Sequence, residues 1–439
     1  MRVQKPKKLT LHHLSLLFLS LGLCASFVTM ICMSQSSGTP TDYNVQRAGR
    51  DYRKGSIYYA SYGTEIVFML LSGFTAIAST LRRTDLSNLR ISYGALAASA
   101  VLMSYQGYTN ADVFSVKIAA MTGPLPLVIS ALVFVSADAT NWRAIARLLR
   151  VGAGVLSLCV LVNIAYLQSA SRTEALTQLL FYLNALYWPA VWLFLEDTSI
   201  GIRRIPCLLP LIVYGVGGIV VQTRLCFIMI ACALILRAYR HGTGRAVAMM
   251  FVGASCVVML LTSSGLNSTG KISTAWEGLS ERSLEDTRTG QLEQFFDDVG
   301  LKELVVGRGS FATWTWNGVA WDGGTDVGYL SLALFGGVPL LLSYVMFHFS
   351  PIIWRANRRR KGFSSSCDLI VVLWAVRMFS SSYPSLSMEY YYLLLCIGGC
   401  FARSTKPSPS CSHLAPQLQR LRCDRTALSF ALPINRQIQ

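Results

Sequence analysis

The chain has 439 residues, of which 53% are hydrophobic and only 14% charged, and its formal net charge is +17. Soluble domains carry about a quarter charged residues, so composition excludes an ordinary soluble protein and points to the membrane class.

A helix needs about twenty apolar residues to cross the hydrocarbon core of a bilayer. Twelve runs qualify as candidates: 11–33, 56–80, 88–105, 115–136, 148–167, 175–195, 206–221, 225–237, 246–262, 326–349, 367–381 and 387–402. The first reads as a retained helix. It is too long for a signal peptide, and Met33-Ser34-Gln35 is not a small-x-small cleavage site. The runs at 225–237 and 367–381 are short. Only Gln222-Thr223-Arg224 separates 206–221 from 225–237, so this pair reads either as two spans or as a helical hairpin that does not fully cross. The expected fold class is an all-α polytopic membrane protein with about 12 transmembrane helices over 1–402. One large loop at 263–325 carries an amphipathic helix, and a Pro-, Ser- and Gln-rich tail at 403–439 is expected to be disordered.

Lys and Arg mark the cytoplasmic side of membrane spans. Arg2, Lys5, Lys7 and Lys8 precede the first run, and every second connection repeats the signal: Arg82-Arg83, Arg143/Arg147/Arg150, Arg203-Arg204, Arg237/Arg240/Arg245 and Arg355 through Lys361. Of the 39 basic residues 26 fall on this side, against 6 of the 22 acidic ones, a formal +20 facing −3. Both termini are therefore expected in the cytoplasm, and the long loop on the opposite, outer side. The basic balance is topological and does not argue for nucleic acid. Most of the twelve cysteines fall inside apolar runs, and no CxxC or Cys/His cluster occurs. Neither a disulfide framework nor a zinc site is supported, and no cofactor is expected.

Polar chemistry gathers in the outer segments. Arg47, Arg50, Arg53 and Lys54 lie in the first, where they either hold a lipid phosphate or contact head groups. Glu65 sits about ten residues into the second run; a carboxylate there needs a cavity or a partner. Arg224 either offers a fork of donors to phosphate or carboxylate or snorkels to the interface. In the long loop, Leu292, Phe295, Phe296 and Val299 fall on one helical stripe with Gly300 as its stop, and Arg288 lies near the start. Gly307-Arg308-Gly309 reads as a turn around another Arg and is no Walker motif. Trp314, Trp316 and Trp321 read as interface anchors or sugar-stacking platforms. Asp322, Thr325 and Asp326 precede the tenth run, where they cap it or do chemistry. Arg377 and Glu389 suit one another as an ion pair.

The order of these features over about residues 205–345 resembles the O-antigen polymerase/ligase family of bacterial envelope glycosyltransferases. The features are Thr223-Arg224 at an outer helix boundary, Thr287-Arg288 leading an amphipathic segment, Val306-Gly307-Arg308-Gly309, and Asp326 before Tyr329-Leu330 and Phe335-Gly336-Gly337. The resemblance implies an inner-membrane enzyme that transfers glycan from an undecaprenyl-pyrophosphate-linked oligosaccharide at the periplasmic face, without a metal. Membrane lipids, a chain-length regulator and a flippase of the same pathway are its implied partners. It places Arg224 and Arg288 where the family binds pyrophosphate, and Arg308 is added as a third candidate. Family ligases carry His where this chain has Asp326, which tilts the reading to a polymerase of O-antigen, capsule or exopolysaccharide repeat units. Fixed guanidinium groups stabilise the charge that develops on a leaving pyrophosphate, and a carboxylate can take the acceptor proton. Asp326 is the first candidate base, with Glu65 and Asp322 behind it. The competing readings are a ligase that moves glycan to lipid A–core and a flippase for the same lipid. Against the flippase stand the lack of a clear internal repeat and the clustering of charge at one face.

Overall fold

A computed structural model describes residues 10–35, 56–108, 124–166, 172–196, 205–221, 224–241, 287–310, 312–321, 325, 327–357, 366–379 and 386–402. The run at 246–262 and the tail, which forms a separate unit from Arg403 to Gln439, lie outside them. The described residues are helical apart from one small hairpin and short connections. In order come α1 (Leu11–Gln35), α2 (Ser56–Thr80), α3 (Ser87–Tyr108), α4 (Pro124–Ile129), a 3-10 turn (Ser130–Leu132), α5 (Val133–Ala137), α6 (Ala139–Tyr166), α7 (Arg172–Glu196), α8 (Ile205–Val221) and α9 (Arg224–His241). After the long loop's α10 (Thr287–Asp298), α11 (Leu301–Val306) and the strands β1 (Trp314–Trp316) and β2 (Val319–Trp321), the chain closes with α12 (Gly328–Asn357), α13 (Ser366–Arg377) and α14 (Met388–Ala402).

Among the described residues five segments are long and apolar enough to cross a membrane: Leu11–Cys32, Ile57–Thr80, Thr140–Ala165, Leu179–Glu196 and Gly328–Ile353. The chain is a multi-pass membrane protein. Its centre is α7 and α14. In α14 every residue except Glu389 is buried, and α7 contributes Tyr187, Trp188 and Trp192 to the core. Peripheral helices show the opposite pattern. Val151, Val155, Leu158 and Val162 of α6 are exposed along one face, which suits hydrocarbon rather than water as the surrounding solvent.

Several boundaries depart from hydropathy. The run at 115–136 is described only from Pro124, as two short helices joined by a 3-10 turn. Helix α6 begins nine residues before the apolar run at 148, so Arg143, Arg147 and Arg150 lie on a helix and not in a connection. Asp138 makes that early start possible, because its Oδ1 accepts from the Thr140 backbone N–H (3.0 Å) and hydroxyl (2.9 Å). Asp138 also joins three elements at the end of the bundle where α1 begins. His12 Nδ1 lies 2.8 Å and Arg83 Nη1 3.8 Å from its oxygens. At this near end, too, the Ser366 hydroxyl donates to Glu196 Oε2 at 2.6 Å, tying α13 to α7.

The predicted single span at 326–349 is broken. Gly337 in α12 has φ 67° and ψ −170°, which interrupts the helix. Pro339 explains part of the break: it has no N–H to give the Phe335 carbonyl four residues earlier. The long loop supplies the missing donors. Arg308 N–H donates to Leu334 O (2.7 Å) and Gly309 N–H to Phe335 O (2.8 Å). Further down the same helix Pro351 leaves the Phe347 carbonyl without its helical donor, and the Ser350 hydroxyl takes that place at 2.7 Å.

Candidate functional site

At the far end of the bundle the loop folds into a compact cap. Its buried face runs through Gln291, Phe295 and Val299, spaced four apart, while Phe296 is 52% exposed. The stripe expected from Leu292, Phe295, Phe296 and Val299 is thus rotated. The cause is a hairpin formed by β1 and β2: Phe295 packs edge-on against Trp314 at 5.4 Å. Trp314 is fully buried, so it is neither an interface anchor nor an open sugar platform. Asn317 and Gly318, with φ 50° and 75°, make the two-residue turn between Trp316 and Val319. Asn-Gly between strand-forming residues is the strongest short hairpin signal, and it stands in the sequence as Trp314-Thr-Trp-Asn-Gly-Val-Ala-Trp321. Gln294 clasps this turn, its Oε1 accepting from Asn317 N–H (2.7 Å) and its Nε2 donating to Asn317 Oδ1 (3.1 Å).

Gly300 does break the helix, but with φ −72° it serves as the cap of α11. Its N–H donates to Glu303 Oε2 at 3.0 Å. Gly307 and Gly309 then turn the chain at φ 89° and 90°. Neither has room for a side chain: a Cβ on Gly307 would lie 2.6 Å from Gly337 N, and one on Gly309 would lie 2.5 Å from Gly107 N. A Cβ on Gly337 would in turn collide with the Val305 carbonyl. Val306-Gly307-Arg308-Gly309 and Phe335-Gly336-Gly337 therefore fit backbone to backbone, and Ser310 N–H extends the seam to Met103 O of α3 (3.2 Å).

Arg308 is the bolt of the cap. Its Nη1 donates to Asp298 Oδ2 (3.1 Å) and Thr313 O (2.6 Å), and its Nη2 to Glu303 Oε2 (2.8 Å) and Asp298 O (2.7 Å). These bonds hold the Glu303 carboxyl below the ordinary carboxylate range, with the Arg308 hydrogen bond the largest cause, and raise the guanidinium in turn. Both Nη atoms are thus spent on the protein itself, where the sequence reading had a free phosphate ligand.

The other sequence-expected residues fall into three groups. Asp326 and Asp322 lie outside the described residues; Thr325 is described, and its hydroxyl accepts from Val327 N–H (3.2 Å) one residue before α12. Arg224 opens α9 and Arg288 stands second in α10, placed by backbone alone. Glu65 is described in full. It is 2% exposed and accepts from the Tyr391 hydroxyl at 2.6 Å, with the hydroxyls of Ser26 and Thr29 of α1 also on its carboxyl. Set against family models, curated proteins and solved structures, the chain matches none. The site must be read from its own residues.

A second polar group, favoured from sequence only as an ion pair, lies at the same depth as Glu65. Arg377 Nη2 stands 2.6 Å from Glu389 Oε1 and 3.3 Å from Asn184 Oδ1. Its Cζ lies 5.5 Å from the Tyr187 ring and 5.9 Å from that of Trp188. Counting from near-end helix termini, Glu65 is fifteen residues above Thr80, Ser26 fifteen above Leu11, Glu389 thirteen above Ala402, Asn184 twelve above Glu196 and Cys226 fifteen above His241. At 1.5 Å per residue these are all about 18–22 Å up, roughly two thirds of the way through a core about 30 Å thick. Among the described residues one polar layer, holding two carboxylates and one guanidinium, thus crosses the bundle. The first turn of α14 joins its halves, with Glu389 on one side and Tyr391 on the other.

Proposed function

We propose that this chain is a bacterial inner-membrane glycosyltransferase that polymerises oligosaccharide repeat units carried on undecaprenyl pyrophosphate, working at the periplasmic face. The observation that carries the reading is the seam between the loop and α12. The two glycine motifs behind the family resemblance, some thirty residues apart, are held backbone to backbone, so the capped loop is built into the bundle directly before the Asp326 position. Buried carboxylates at membrane depth favour chemistry or substrate handling over a purely structural role.

In this mechanism Arg224 and Arg288 hold the pyrophosphate. The acceptor hydroxyl attacks the anomeric carbon of the donor glycan and gives its proton to a carboxylate, with Asp326 the first choice and Glu65 the second. The bond to the pyrophosphate oxygen breaks with its electron pair, and the two cations stabilise the charge that develops there. Arg308 belongs to the cap and not to the phosphate site, because its donors already hold α10 to α11. Reconstitution of the purified chain with lipid-linked repeat units tests the reading. A ladder of products is expected. Transfer only to added lipid A–core would make it a ligase, and lipid movement across the bilayer without transfer would make it a flippase.

A further inference from the structure

Of the charged groups in the polar layer, the mechanism leaves Arg377 and Glu389 unused. Such a pair is a poor device for stability, because desolvating two charges cancels most of their attraction. Ionisable residues at membrane depth serve function by default.

The surroundings of the pair point to an anion. Its guanidinium is the layer's one cation among the described residues, and the elements packed round it bring Asn184, Tyr187 and Trp188 from α7, Tyr214 from α8, Cys226 from α9 and Glu389 from α14. Only Glu389 carries charge there, so the pair is neutral overall and an approaching anion meets no net repulsion. Cys226, which lies within reach of the Arg377 charge, stands two residues after Arg224. The start of the helix that carries the first pyrophosphate candidate is therefore one short step from Arg377. The Glu389 side chain is 16% exposed and that of Arg377 4%.

We propose that Arg377 is a further binding residue for the diphosphate of the polyprenyl carrier, and that Glu389 holds its guanidinium in position until the anion arrives. This deepens the donor site and rests on the glycosyltransferase reading. A planar guanidinium shared between a carboxylate and a phosphate keeps its charge at any working pH. Arg377 then serves with Arg224, which opens α9, as a second cation for the diphosphate.

The test uses the full chain in nanodiscs, with undecaprenyl pyrophosphate as probe and undecaprenol as the uncharged control. The variant R377M/E389L removes both charges together, and R377E/E389R keeps an ion pair while moving the cation. Both are expected to retain the wild-type unfolding temperature within a few degrees. Each is expected to bind the pyrophosphate at least about tenfold more weakly, the worth of one charge-assisted hydrogen bond, with undecaprenol binding unchanged. R377K, which keeps the pair and is the mildest change, is expected to lose several-fold by giving up the fork. Wild-type affinity in R377K, or in either folded double variant, overturns the assignment of Arg377 and leaves the glycosyltransferase reading standing. Equal binding of undecaprenol and undecaprenyl pyrophosphate by the wild type overturns both.

Discussion

Single side chains in this protein do their work through who satisfies whom. Tyr391 donates to Glu65 in the polar layer, so Tyr391→Phe leaves a buried carboxylate one donor short. The expected cost is about 1–3 kcal/mol, read as a lower unfolding temperature of the purified protein. Glu65→Gln, which keeps a side chain able to hydrogen-bond that hydroxyl, should cost less. The base assignment has its own readout: Asp326→Asn should abolish the polysaccharide ladder in a strain lacking the native gene while leaving protein level unchanged, and a normal ladder would remove Asp326 from the mechanism. In the cap, Arg308 depresses the Glu303 carboxyl. A depressed carboxyl stabilises the fold above its unfolded pKa and loses that contribution as pH falls through the lower, folded value. The side chain is 43% exposed, so solvent screening keeps the effect under about 1 kcal/mol. Protection factors at 301–310, which correct for the intrinsic pH dependence of exchange, should fall on acidification below about pH 4, and Glu303→Gln should flatten that dependence.

Among the elements, the seam between loop and α12 is the least forgiving. Gly337→Ala meets both a positive φ and the Val305 carbonyl. Such glycine-only backbone costs about 1–3 kcal/mol for an alanine, so with the clash the cap should detach, seen as loss of activity and faster proteolysis near the hairpin. Gly290→Ala is the matching control: it has open space around it within helix α10, and should stabilise by up to about 1 kcal/mol. Much at this scale was legible beforehand. The glycine turn at 307–309 was readable because only glycine adopts such backbone freely. Asn317-Gly318 announces the hairpin in the sequence, but the three tryptophans around it suit a membrane surface as well as a strand. The helical stripe was rotated from expectation because the pattern at 292–299 fits two faces, and only Trp314 decides between them.

For the molecule as a whole, topology is the testable statement. A cysteine introduced at Asn317 in a cysteine-free background should react with a membrane-impermeant maleimide in cells with a permeabilised outer membrane. One at Arg82 should react only after the inner membrane is opened; the reverse pattern would invert the bundle and move the site to the cytoplasm. The sequence by itself determined that this is a multi-pass helical membrane protein, because hydropathy and the positioning of Lys and Arg are additive along the chain and need no partner. It also located the candidate cations and carboxylates, since charged residues in so apolar a chain are few. Only the tertiary structure decided what these groups meet. It spent Arg308 on Asp298 and Glu303, closed Gly307 onto Gly337, and set Glu65, Tyr391, Arg377 and Glu389 in one layer. Such meetings depend on helix length, rotation and depth between segments hundreds of residues apart, and no local pattern in the chain encodes them.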